Sequence, residues 1–246
     1  MNRVFVTGDK HGFEDKDDLS DKSFPIQSEL TKDDFIIVAG DFGAVWYGSS
    51  DFINRNNDYI IPIEHRGFSE REDYLQKWYS RKNFTTLFID GNHENHTLLN
   101  AYPIIEWNGG LVHRITDSLF HLMRGQVYVI GGKKIFTMGG AASKDRRYRT
   151  ENVSWWPREL PSEQEIRYAR EMLKKNDNRV DYIITHCTSS EIMKKIDEND
   201  QSNRLTEFFS ELNDTTQYKH WFFGHYHMDK SIDDKHTLVY NDIIEL

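Results

Sequence analysis

The chain has 246 residues, 37% hydrophobic and 13% aromatic, enough to bury a sizeable core in one large domain or two small ones. Forty acidic residues against 31 basic ones leave a formal charge of −9, which disfavours duplex nucleic acid, since that partner calls for a basic footprint. The single cysteine, Cys187, excludes an internal disulfide framework, and no apolar run approaches the roughly 18 residues of a membrane span.

The N-terminus, "MNRVFVTGDKHG", enters a strand-like stretch directly, without the h-region of a secretory signal. With the lone cysteine, this leads to the expectation of a cytoplasmic protein. The first strand spans 3–9 ("RVFVTGD") and the second 35–41 ("FIIVAGD"). The polar "NRNND" at 54–58 is the best candidate for a mobile loop. Tyr74, Leu75, Trp78 and Tyr79 then suggest a helix, followed by a third strand, "TTLFIDGNH", at 85–93. From 111 to 142, "LVHRI", "LFHLM", "QVYVIGG" and "KKIFTMGG" read as successive strands with no room for a crossover helix. A basic stretch follows at 143–149, where Lys144, Arg146, Arg147 and Arg149 cluster, and then Trp155 and Trp156.

Ser162 and Glu165 match a capping box that opens a helix over 162–176. The fourth short strand is "DYIITH" (181–186). Leu205, Phe208, Phe209 and Leu212 line one face of a helix over 202–213, and "HWFFGH" (220–225) is the fifth short strand. "HMDKSID" and "HTLVYNDI" suggest a closing hairpin. The mixture implies a sheet-rich α/β layer structure. With no repeat, low-complexity tract or linker, residues 1–246 are expected to form one domain.

Polar residues collect where the five short apolar runs end. The first delivers Asp9 and His11, the second Asp41, the third Asn92 and His93, the fourth His186, and the fifth His225 and His227. Loops at the carboxyl ends of neighbouring strands converge on one crevice. Imidazole and carboxylate without thiolate is a ligand set for divalent metals. Any one of these pieces can be read as a turn; five in order at strand exits are not explained that way.

"GDKHG", "GDFG", "GNHE", "TH" and "GHYH" together resemble the ordered motifs of the calcineurin-like metallophosphoesterase superfamily, over residues 8–227. The resemblance implies a β-sandwich of two mixed sheets flanked by helices, in αββα layers, with a dinuclear metal centre at the strand ends. It implies that Asp9, His11 and His227 hold one ion and Asn92, His186 and His225 the other, with Asp41 bridging and His93 facing the substrate as the catalytic imidazole. Two ions about 3.5–4 Å apart would share a hydroxide that attacks phosphorus, and His93 would protonate the leaving oxygen. The ligand set suits manganese first, with iron, zinc and cobalt also compatible.

One departure bears on the substrate. Family members that act on phosphoproteins extend the second motif to Gly-Asp-x-x-Asp-Arg-Gly, whereas here Ala44 and Val45 follow "GDFG". The phosphate-gripping arginine is therefore expected from Arg146, Arg147 or Arg149, with Trp155 as a stacking face. A small phosphomonoester, diester or nucleotide is the expected substrate. The alternatives are a nuclease acting on single-stranded nucleic acid and a non-catalytic binding module, and the intact ligand set speaks against the second. Oligomeric state is not legible. His113, His121, His220 and His236 read as sheet residues, His96 as a residue that could border the pocket, and Cys187 as a small buried residue.

Overall fold

The computed structural model describes residues 2–47 and 66–246, so the stretch at 54–58 read as a loop lies outside the described residues. One sheet contains β1 (Val4–Thr7), β2 (Phe35–Val38), β3 (Thr85–Phe88), β4 (Ile104–Trp107), β5 (Gly110–Thr116), β6 (Leu119–Leu122) and β13 (Ile244–Glu245). Its order is β13-β1-β2-β3-β6-β5-β4, with β1, β2, β3 and β6 parallel. The other contains β7 (Gln126–Ile130), β8 (Lys133–Met138), β9 (Tyr182–Thr185), β10 (His220–Phe223), β11 (Lys230–Asp233) and β12 (His236–Leu238). Its order is β11-β12-β10-β9-β8-β7, with β8, β9, β10 and β12 parallel.

The short strands read as continuous apolar runs because both of their faces are covered. Val4, Val6 and Ile37 of one sheet meet Ile130, Ile135, Ile184 and Phe222 of the other in the layer between the sheets. Their neighbours point outward: Phe5, Ile36, Val38 and Phe88 pack with Leu75 and Tyr79 of α1 (Arg66–Ser80) and with Leu98 and Leu99 of the one-turn α2 (His96–Leu99). On the far side, Phe136, Ile183, Trp221 and Phe223 are covered by α3 (Glu163–Lys175), α4 (Ser190–Ile196) and α5 (Arg204–Thr215). The result is a sandwich of two mixed sheets between helical layers. Trp221 is fully buried and donates its indole N–H to Thr185 Oγ1 at 2.7 Å. Truncating such an aromatic to alanine would cost roughly 3–5 kcal/mol.

The local signals resolve as follows. Ser162 and Glu165 make both hydrogen bonds of the capping box ahead of α3. The helix read at 202–213 starts at Arg204, because the Asn203 side chain accepts the N–H groups of Leu205 and Thr206. The strands β5 to β8 are present, and β6 and β7 lie in different sheets, so the chain changes layer between them without a helix. β11 and β12 form the expected antiparallel hairpin. β4 was not signalled: it is an edge strand whose inner face, Ile105 and Trp107, is only half-buried, and the exposed Ile104 blurs the alternation in "IIEW". Among the described residues, no helix is long and apolar enough to cross a membrane.

Candidate metal centre

The exits of β1, β2 and β3 in one sheet face those of β9 and β10 in the other. One ligand atom from each of Asp9, His11, Asp41 and His227 lies within 4.8 Å of all the others, and the same holds for Asp41, His186 and His225. Asp41 belongs to both groups. Asn92 joins the second, its Oδ1 lying 3.1 Å from His186 Nε2. All seven residues singled out as ligands are thus brought together.

The backbone is bent to achieve this. His11, Asp41, His225 and His227 have left-handed φ values of 36°, 44°, 76° and 50°, uncommon for residues with a side chain. Glycines make the remaining room: a Cβ on Gly224 would strike Asp9 Oδ1, and one on Gly91 would strike Asp41. These contacts account for the "GN" and "GH" pairs, and in the second "GD" pair a Cβ on Gly40 would strike the His186 ring.

Hydrogen bonds fix the direction of the side chains. His186 Nδ1 donates to the Ala39 carbonyl at 2.8 Å, which leaves Nε2 facing Asp41 Oδ2 at 3.3 Å. His11 Nδ1 donates to Asp15 Oδ2 at 2.7 Å, so its Nε2 also turns inward. An imidazole pinned through one nitrogen offers the other as a ligand. Asp41 Oδ1 accepts the His93 backbone N–H at 2.7 Å, and Asp9 Oδ1 accepts that of His225 at 3.1 Å.

The electrostatics call for positive charge. Burial opposes a charge on His11, yet hydrogen bonds to Asp41 and Asp15 outweigh it and push its pKa up to about 9. Burial is likewise outweighed at His186 by the Asp41 and Asp9 carboxylates, and its pKa rises to about 10. Burial and the neighbouring His186 hold His225 down at about 3. A bound cation would answer the same carboxylates and release those protons.

A cavity of about 610 Å³ opens beside the cluster, lined among others by His11, Trp46, Tyr47, His93, Arg149 and Tyr240. His93 is half-buried there, and burial lowers its pKa despite Asp41. Of the arginines at 146–149, Arg149 lines this cavity, its guanidinium held by Asp145 at 2.7 Å and by the Ser154 carbonyl at 3.1 Å. Arg146 and Arg147 do not line it: Arg146 lies 4.3 Å over the Trp155 ring and Arg147 lies 4.7 Å over the Tyr148 ring. Trp155 and Trp156 are buried, and neither lines the cavity. Lys144 is paired with Asp197 at 2.9 Å and Asp200 at 3.1 Å.

His96 does not border the cavity. It is buried with Asp90, His113, His121 and Arg124 around a separate void of about 40 Å³. Cys187 is buried, and burial pushes its thiol up to about 12. Ala44 and Val45 belong to the core under α1. Two residues of the site were not among those singled out from the sequence. Glu94, fully buried, accepts the Phe42 N–H at 2.7 Å and so holds the loop that carries Asp41; an acid directly after "GNH" was the available hint. Tyr240 stacks on His227 at 5.0 Å, and its hydroxyl donates to Asp15 Oδ1 at 3.3 Å. Its place depends on how the chain returns after β12.

A family model described as calcineurin-like phosphoesterase matches residues 2–229. A search of curated proteins found no match. Among solved structures, similarity extends to a Staphylococcus aureus protein provisionally named 5′-nucleotidase, in complex with alpha-ketoglutarate. The TM-score is 0.48 at 16% identity, over 97% of this chain and 48% of that one. This chain thus spans about half the length of that protein. A second likeness is to GAP50, the anchor in the inner membrane complex of Plasmodium, with a TM-score of 0.46 at 12% identity over 97% of this chain and 71% of that one.

Proposed function

This chain belongs to the calcineurin-like phosphoesterase family, and on that footing we propose that it is a metal-dependent hydrolase of small phosphate esters with a dinuclear centre. Residues 1–246 act as one domain in the cytoplasm. Asp9, His11 and His227 hold one divalent ion, Asn92, His186 and His225 the other, and Asp41 serves both. The observation that carries this reading is that Asp41 lies within ligand distance of two separate groups. The donor set of nitrogen and oxygen, with imidazoles pinned through their far nitrogens, fits manganese, iron, zinc or cobalt. When bound, two such ions supply Lewis-acid polarisation of the phosphoryl oxygens and activation of water.

The chain's own residues do the rest. Asp41 and Asp9 fix the register of the loops that follow β3 and β10 through backbone N–H bonds. His93 reaches the cavity with its ring free of that task, and its place there suits a proton donor to the departing oxygen. Arg149, pre-positioned by Asp145, supplies the planar cation that the Ala44 and Val45 positions lack. A cavity of about 610 Å³ suits a small phosphorylated substrate such as a phosphomonoester, diester or nucleotide.

Manganese-loaded wild type should hold two equivalents and hydrolyse nitrophenyl phosphates. Asp41→Asn should lose at least one equivalent along with turnover. His93→Ala should keep both ions, because its bond to Asp41 comes from the backbone N–H, while hydrolysis falls roughly 10²–10⁴-fold. Two retained equivalents and unchanged turnover in Asp41→Asn would sink the assignment.

A further inference from the structure

Asparagine is an awkward metal ligand because its two ends have the same shape. Only Oδ1 carries lone pairs for a cation; Nδ2 presents two N–H groups and would repel it. Something must decide which end faces the site. Asn92 is buried, so water does not settle the matter.

A chain of hydrogen bonds behind Asn92 can do so. Asn92 Nδ2 donates to Ser143 Oγ at 3.2 Å. Ser143 Oγ donates to Glu159 Oε2 at 2.5 Å, and the Ser143 backbone N–H donates to Glu159 Oε1 at 3.1 Å. Glu159 is itself buried, in the short turn Pro157–Glu159. Its backbone carbonyl and that of Arg158 receive Arg124 Nη2 at 3.4 and 2.8 Å, and Arg124 is also paired with Asp90, two residues before Asn92.

The polarity of the chain follows from its last member. An ionised carboxylate only accepts, so it takes the single hydroxyl proton of Ser143. With that proton committed, Ser143 Oγ has only lone pairs left to offer Asn92. It can accept from Nδ2 and cannot donate to Oδ1. The second carboxylate oxygen, tied to the Ser143 N–H, prevents Glu159 from swinging away.

We propose that Ser143 and Glu159 are positioning residues that set which end of the Asn92 side chain faces the candidate metal centre. The proposal rests on the reading of Asn92 as a ligand of the second ion. Glu159 forces the Ser143 hydroxyl to point at it, Ser143 captures the Asn92 amide nitrogen, and Oδ1 is left beside His186. The same two bonds draw electron density toward the Asn92 oxygen and make it a better donor. Neither residue touches substrate.

Ser143→Ala isolates the effect, because it keeps the backbone bond to Glu159 and removes only the hydroxyl link. Titration calorimetry with Mn²⁺ should show one of the two ions losing affinity by about 10–100-fold, the usual effect of a partner behind a metal ligand. The other ion should keep its wild-type affinity, the metal-free protein should melt lower because the buried Glu159 Oε2 loses its partner, and Ser143→Thr should restore binding. In an Asn92→Asp background both ends of the side chain are oxygen, so adding Ser143→Ala should change affinity less than twofold. Wild-type affinity for both ions in Ser143→Ala overturns the proposal. An equal loss in the Asn92→Asp background overturns it too, since the effect would then not be orientation. Wild type that binds fewer than two ions instead refutes the dinuclear reading, and the role assigned to the relay with it.

Discussion

Gly91→Ala adds one methyl group at the exit of β3, and its consequence can be worked from geometry. The backbone at Gly91 is not left-handed, so alanine carries no conformational penalty there. The difficulty is space. The new Cβ would overlap Asp41 Oδ1 and lie 2.5 Å from the Asp41 nitrogen and 2.8 Å from its Cγ. Relief requires both the carboxylate and the backbone at Asp41 to shift by roughly 1 Å, and overpacking of this kind costs about 1–3 kcal/mol. Asp41 cannot shift freely, since Oδ1 holds the His93 N–H at 2.7 Å and Oδ2 faces His186 at 3.3 Å. A 1 Å misplacement is worth about 10²-fold in rate. Gly132→Ala is the control: nothing lies within 4 Å of its Cβ, but its φ of +76° is left-handed. It should lose about 1–2 kcal/mol and nothing at the site. The measurements are urea unfolding and Mn²⁺ titration of both variants. Wild-type stability and two tight ions in Gly91→Ala would show that the packing around Asp41 does not hold the site.

Two further outcomes follow from residues outside the ligand set. Arg149→Ala should lower kcat/KM at least tenfold, about 1.4 kcal/mol, without loss of metal, while Arg147→Ala, whose guanidinium lies over Tyr148, should match wild type; equal losses in both would assign the effect to the general field of the segment. Burial and the nearby His121 hold His113 at about 3, below its ordinary 6.5, and burial with Arg124 does the same for His96. Above pH 6.5 both rings are neutral in either state. Below it the unfolded chain takes up protons the folded one refuses, so stability is lost as pH falls toward 3, by about 1.4 kcal/mol per pH unit per proton. His113→Gln should remove one proton's share of that slope in denaturant titrations between pH 6.5 and 4, and an unchanged slope would refute the assignment.

Four of the five strand exits were legible because a ligand on a loop sits beside a glycine, as Asp9, Asp41, Asn92 and His225 do, and both are local; His186 has no such glycine and was legible through its place at a strand end. Ser162 with Glu165 was legible for the same reason: the capping box closes within one turn. What escaped notice is held by distant partners. Ser143 and Glu159 meet Asn92 only because the exits of β3 and β8 lie against each other, where the Gly140 N–H donates to the Asp90 carbonyl at 2.9 Å. Tyr240 reaches His227 through the return of the chain after β12. The arginines at 146–149 are adjacent in sequence and were read as a unit; the short helical turn at Arg146–Tyr148 sends them to different neighbours. His96 is carried by a four-residue helix, His96–Leu99, whose direction faces it toward Asp90 at 3.8 Å.

The seven candidate ligands come from both layers of the sandwich, and His186 of one sheet is hydrogen-bonded to the Ala39 carbonyl of the other. A cation gripped there would fasten the two layers together at one edge, much as a rivet joins two plates. Opening either layer would tear the grip apart, so binding would favour only the closed sandwich. At a hundredfold excess over its dissociation constant, one such ion adds about 2.7 kcal/mol to the free energy of unfolding. Metal supply would then govern how long the protein survives as well as how fast it works, and a starved cell would lose both together.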